Sequence, residues 1–87
     1  MKAIVTTFHG PTNTKGSRVS AQDMDGNRIT ISWSHVLNGE AAHAEAALAL
    51  CKKLDWHGRL VAGAIVRGYV FVFEMETSTY DAEGKPA

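Results

Sequence analysis

His9, His35, His43 and His57, the single Cys51 and the adjacent pair Ser34-His35 are the residues of this 87-residue chain suited to acid-base, nucleophilic or metal chemistry. Their spacing assembles none of it. Metal binding needs several ligands converging on one point, and Glu40-x-x-His43 supplies only half of a carboxylate-bridged site, whose other half would come from further helices. Ser34 and His35 are neighbours in sequence, which does not aim a hydroxyl at an imidazole, and no acid is placed to orient the ring. One cysteine forms neither an internal disulfide nor a thiolate zinc site. Cys51 falls on the apolar side of a helix and reads as an inert buried thiol, with His43 at the edge of that side as a packed or capping residue. The expectation is a protein without catalytic residues, metal or cofactor, and not an enzyme.

Two segments have the residue types to hold a partner. The loop His9 to Arg18 is rich in backbone donors, and its Thr12, Asn13, Thr14, Lys15, Ser17 and Arg18 suit phosphate or a polar protein surface. It is not a Walker motif, because Lys15 precedes Gly16 and no helix follows to offer its N-terminus. Turn geometry supplied by Gly, Pro and Asn also accounts for it. Arg67-Gly68-Tyr69-Val70-Phe71-Val72 resembles the aromatic strand motif of RNA-recognition domains, whose rings stack on bases. Val70 stands where that motif has Gly or Ala, Glu74 stands where it has an aromatic, and a buried strand core also explains Tyr69, Phe71 and Phe73.

Five strands and one helix must position these residues. Lys2 to Phe8 is β-branched; Arg18 to Gln22 and Arg28 to Trp33 alternate apolar with polar residues and are joined at Asp25-Gly26, a tight hairpin signal. Gly39 to Asp55 is an Ala-rich amphipathic helix capped by Asn38, with Ala44, Ala47, Leu48, Leu50, Cys51 and Leu54 on one side. Leu60 to Val66 and Tyr69 to Met75 read as two further strands joined at Arg67-Gly68. The expected fold is α+β and two-layered, an antiparallel sheet of about five strands in the order β-β-β-α-β-β with one helix on one face. Residues 1–76 form that domain and 77–87 a flexible acidic tail.

One helix covers only one face of a sheet, so the other must meet water, another copy or a partner. Both faces of the last two strands are apolar, and the set Val61, Ile65, Val70 and Val72 is a candidate dimer face. Nine basic residues balance nine acidic ones, but residues 1–73 carry a net charge of +3 because the acid gathers after Phe73. That body weakly favours phosphate contact. The longest apolar run, Leu60 to Val66, is too short to span a bilayer, and a lone cysteine suits a reducing compartment, so a cytoplasmic location without membrane contact is expected.

MKAIVT, GPTNTKGSR, the Asp-Gly hairpin, the Leu-Cys-x-Lys helix end, Trp56-x-Gly58 and Gly68-Tyr-Val-Phe-Val-Phe resemble a group of small proteins of phages, plasmids and related bacterial elements. The resemblance covers residues 1 to about 73 and supplies no functional residues; the strand-helix-strand layout is also similar to that of some small anti-CRISPR proteins of type I systems. It implies a mobile-element setting and a small binder that inhibits a host defence complex by protein-protein contact. The alternative is a single-stranded DNA- or RNA-binding module using Lys15, Arg18, Arg28, Arg67 and Tyr69, whose affinity would fall steeply with salt. A homodimer is compatible with either.

Overall fold

A computed structural model describes residues 3–14, 16–34 and 37–74 of the chain. Strands β1 (Ala3–His9), β2 (Arg18–Gln22), β3 (Arg28–Ser32), β4 (Leu60–Ile65) and β5 (Gly68–Phe73) form one antiparallel sheet in the spatial order β3-β2-β1-β5-β4. Helix α1 (Gly39–Leu54) joins β3 to β4 and crosses one face, so the α+β, two-layer layout expected from the sequence is the observed one. The tail expected over 77–87 lies outside the described residues.

The register separates the faces. Thr6 stands opposite Ala21 on β2 and Tyr69 on β5, so Ile4, Thr6 and Phe8 share the helix side with Val19, Ala21, Phe71 and Phe73. Side chains alternate along a strand, which puts Val5, Thr7 and His9 on the opposite face with Ser20, Gln22, Val70 and Val72. Burial follows this division: Ile4, Val19, Ala21, Phe71 and Phe73 form a core with Ala46, Ala47, Leu50 and Cys51 of α1.

The β2–β3 connection is a loop over 23–27 rather than the two-residue turn that Asp25-Gly26 suggests, and only Gly26 has a positive φ, of 91°. Asp23 holds it together. Its Oδ1 accepts from the N–H groups of Asp25 and Asn27 at 3.0 and 2.7 Å, and its Oδ2 accepts from Asn27 Nδ2 at 2.7 Å. The Asn27 side chain and these backbone donors hold the Asp23 carboxyl below its usual pKa of 3.8.

Asn38 starts α1 as expected, its Oδ1 accepting from Ala41 N–H at 2.8 Å. At the other end Asp55 adopts the left-handed conformation, and the Trp56 N–H donates to the Cys51 carbonyl at 2.8 Å, which stops the helix. The buried side differs from the expected one. It comprises Ala42, His43, Ala46, Ala47, Leu50 and Cys51, while Leu48 is 58% exposed. The helix leans mainly on β2 and scarcely touches β4. Leu48 therefore borders an uncovered groove of about 460 Å³, with Ala44 on its helix wall, Leu60 and Ala62 on its β4 wall, and Glu40 and Arg59 at its rim.

Candidate functional site

The face of the sheet away from α1 has no covering layer among the described residues, and it divides into two halves. On the β4, β5 and β1 half, Val61 pairs with Val72, Gly63 with Val70 and Val70 with Val5, so Val5, Val61, Ile65, Val70 and Val72 make a contiguous aliphatic surface. This brings together the four residues expected to form a dimer face. On the β1, β2 and β3 half the same face carries Thr7, His9, Arg18, Ser20, Arg28 and Thr30. A shallow depression of about 350 Å³ lies along the join, lined by Val5, Thr7, Ser20, Gln22, Asp23 and Met24.

His9, expected in a loop, ends β1, and its Nε2 lies 2.9 Å from Ser20 Oγ, with Arg28 Nη2 at 3.5 Å. Sequence reading missed this pair, which only the β1–β2 register reveals. Ser20 is buried, and no carboxylate hydrogen-bonds His9 among the described residues, so the pair ties two strands together rather than presenting an activated hydroxyl. Arg18 Nε is buried without a hydrogen-bond partner.

The remaining expected contact residues divide between two surfaces. Thr12, Asn13 and Thr14 are exposed in the loop after β1, Ser17 is half-buried with its carbonyl accepting from Trp33 N–H at 3.0 Å, and Lys15 lies outside the described residues. Arg67 sits in the β4–β5 turn at the same end of the sheet, where its carbonyl accepts from Phe8 N–H. Tyr69 does not join them. Its partners in register, Thr6 and Ala64, put it on the helix side, where its ring lies 5.0 Å from that of His43 and 6.4 Å from that of Phe71. Since Phe71 and Phe73 share that side, the uncovered face lacks, among the described residues, the aromatics by which RNA-recognition domains stack bases.

His43 is the most constrained of the described histidines. Its Nδ1 lies 2.7 Å from Thr6 Oγ1 and its ring is packed between Trp33 and Tyr69, so it is buried while Glu40, with which a metal motif would pair it, is exposed. Thr6 Oγ1 donates to the Tyr69 carbonyl at 3.2 Å and accepts from the Tyr69 N–H at 3.3 Å, so the set closes when the His43 hydrogen sits on Nδ1. Burial pushes the His43 pKa below 6.5, so the unfolded chain binds the more protons in acid. Stability is therefore expected to be full above about pH 6.5 and to decline as the pH falls below it. His43→Leu should remove that part of the slope, as urea unfolding between pH 7.5 and 5 would record; an unchanged slope would place the titrating group elsewhere. Cys51 is a buried free thiol with its pKa raised by desolvation.

No family model, curated protein or solved structure matches this chain. Among the described residues no three of His, Cys, Asp and Glu gather to hold a metal, and no helix is long and apolar enough to cross a membrane. The uncovered face, half aliphatic and half polar with two arginines, is the surface whose chemistry is left unused by the fold.

Proposed function

We propose that this chain is a non-enzymatic binding protein that docks a host protein complex through its uncovered sheet face. The observation that carries the reading is the aliphatic surface of Val5, Val61, Ile65, Val70 and Val72, continued on the same face by the polar strands that carry Arg18 and Arg28. Contiguous apolar area rimmed by polar groups marks an interaction surface, and the two arginines favour a partner whose apolar patch has an acidic border. The resemblance to mobile-element proteins makes a defence complex the first partner to test, with the cytoplasm as the place of action. Nucleic acid is the second reading, supported by Arg18 and Arg28 on one face and weakened by the withdrawal of Tyr69, Phe71 and Phe73 to the helix side.

The test compares the wild-type protein with Val70→Lys, which places a charge at the centre of the aliphatic surface. In bacteria defended by a type I CRISPR system, the wild type should restore phage plating, and purified defence complex should bind it in nuclease-treated buffer. Val70→Lys should fold and lose both effects at least about tenfold, the loss expected when a charge is forced into a packed apolar contact. Equal binding by the variant would remove the face from the reading. Retention of single-stranded nucleic acid that weakens steeply with salt would support the second reading instead.

A further inference from the structure

The two edges of the sheet are treated unequally. Just past β3 the Trp33 N–H donates to the Ser17 carbonyl at 3.0 Å, continuing the ladder in which Ile29 and Ile31 bond β2. The backbone groups of Arg28, Thr30 and Ser32 therefore face outward. This edge is guarded: Lys53 Nζ from α1 donates to the Arg28 carbonyl at 3.2 Å, and Arg28 carries a charge on the strand itself. At the other edge the Glu74 N–H donates to the Arg59 carbonyl at 2.8 Å, so Val61, Gly63 and Ile65 bond β5 and the backbone groups of Leu60, Ala62 and Ala64 point outward. From Leu60 to Val66 the chain holds no charge and no proline, and Val61, Ile65 and Val66 are 48%, 45% and 100% exposed. Neither helix nor loop covers it among the described residues, and its helix side opens onto the groove beside Leu48.

We infer that β4 pairs antiparallel with β4 of a second copy, joining two sheets into one of ten strands. The strand is complementary to itself. A two-fold axis at Gly63 sets Val61 against the partner's Ile65 on the uncovered face, and Ala62 against the partner's Ala64 and Leu60 against the partner's Val66 on the helix side. Every central cross-strand pair is then apolar and uncharged, and the outward N–H and C=O groups of Leu60, Ala62 and Ala64 meet equivalent groups. Arg59 meets the partner's Arg67 at each end, where Glu74 Oε2 already lies 3.8 Å from Arg59. A second copy is favoured over an unrelated strand because the pairing consumes the unguarded edge of both chains and leaves only guarded β3 edges outside. Assembly consequently stops at two. It also leaves the proposed partner face free and presents it twice.

Sedimentation and amide exchange on the whole chain test this. The wild type should sediment at about twice the 9.4 kDa chain mass. The outward amides of Leu60, Ala62 and Ala64 should exchange slowly at high concentration and at least about tenfold faster on dilution, as paired and free edge amides do. Ala62→Pro removes an outward donor without touching the β5 ladder, so it should sediment at the single-chain mass while keeping any partner binding. Val70→Lys should stay dimeric. A wild type that sediments as one chain with fast exchange at those three amides overturns the inference. So does a dimer that survives Ala62→Pro and dissociates with Val70→Lys, which would assign the contact to the sheet face.

Discussion

Gly68→Ala is expected to destabilise the chain severely. A β-carbon at Gly68 would lie 1.8 Å from the Thr6 carbonyl oxygen and 2.8 Å from its carbon, with His43 Cε1 at 3.1 Å. The obstacle is backbone of the central strand, which cannot rotate aside as a side chain would. Relief requires β1 and β5 to separate, losing the pairing from Ala3 to Thr7 and the Thr6–His43–Tyr69 hydrogen bonds together. The cost is on the order of 3 kcal/mol or more, against about 5–15 kcal/mol for a whole domain. Gly10→Ala is the control, since nothing lies within 4 Å of its β-carbon. Circular dichroism and urea unfolding of both variants check the expectation, and a Gly68→Ala protein of wild-type stability would contradict the close approach of the two strands.

Leu50→Ala should be the costliest truncation in the helix. Leu50 is completely buried, so its loss removes about 2–5 kcal/mol of transfer and cavity energy. At about 4–8 °C per kcal/mol for a domain of this size, the melting temperature should fall by roughly 10 °C or more. Leu48→Ala, two residues away, should cost less than about 1 kcal/mol because its side chain already meets water. Thermal unfolding of the two variants separates the observed helix orientation from the expected one. Equal losses would mean that both leucines face the core.

That contrast also marks how far the fold was legible. The strands, the helix and its Asn38 cap could be read because alternation, helical spacing and capping chemistry are local signals. The rotation of α1 could not. Alanine occupies so many helix positions that the apolar stripe is poorly phased, and His43 is drawn inward by Thr6, 37 residues away in sequence. The last strand posed the same difficulty. Tyr69-Val70-Phe71-Val72-Phe73 is apolar on both sides, and only ring contacts with His43 and Trp56 reveal that the aromatics belong under the helix. With them went the stacking platform that the sequence motif suggested, whereas Val61, Ile65, Val70 and Val72 came together as expected. The His9–Ser20 pair stayed hidden because the loop after β1 conceals which residues of β1 and β2 stand side by side.

The central place of β1 imposes a delay on biosynthesis. Its partner on one side, β2, follows closely, but Tyr69, which its Thr6 must meet on the other, is 63 residues downstream. At about 5–20 residues per second a ribosome needs roughly 3–12 seconds to make that stretch. Until β5 is made, the flank of β1 that it will seal stays open, first on the bare strand and later on the meander and helix that form around it, a window in which a chaperone or another nascent chain can reach it first.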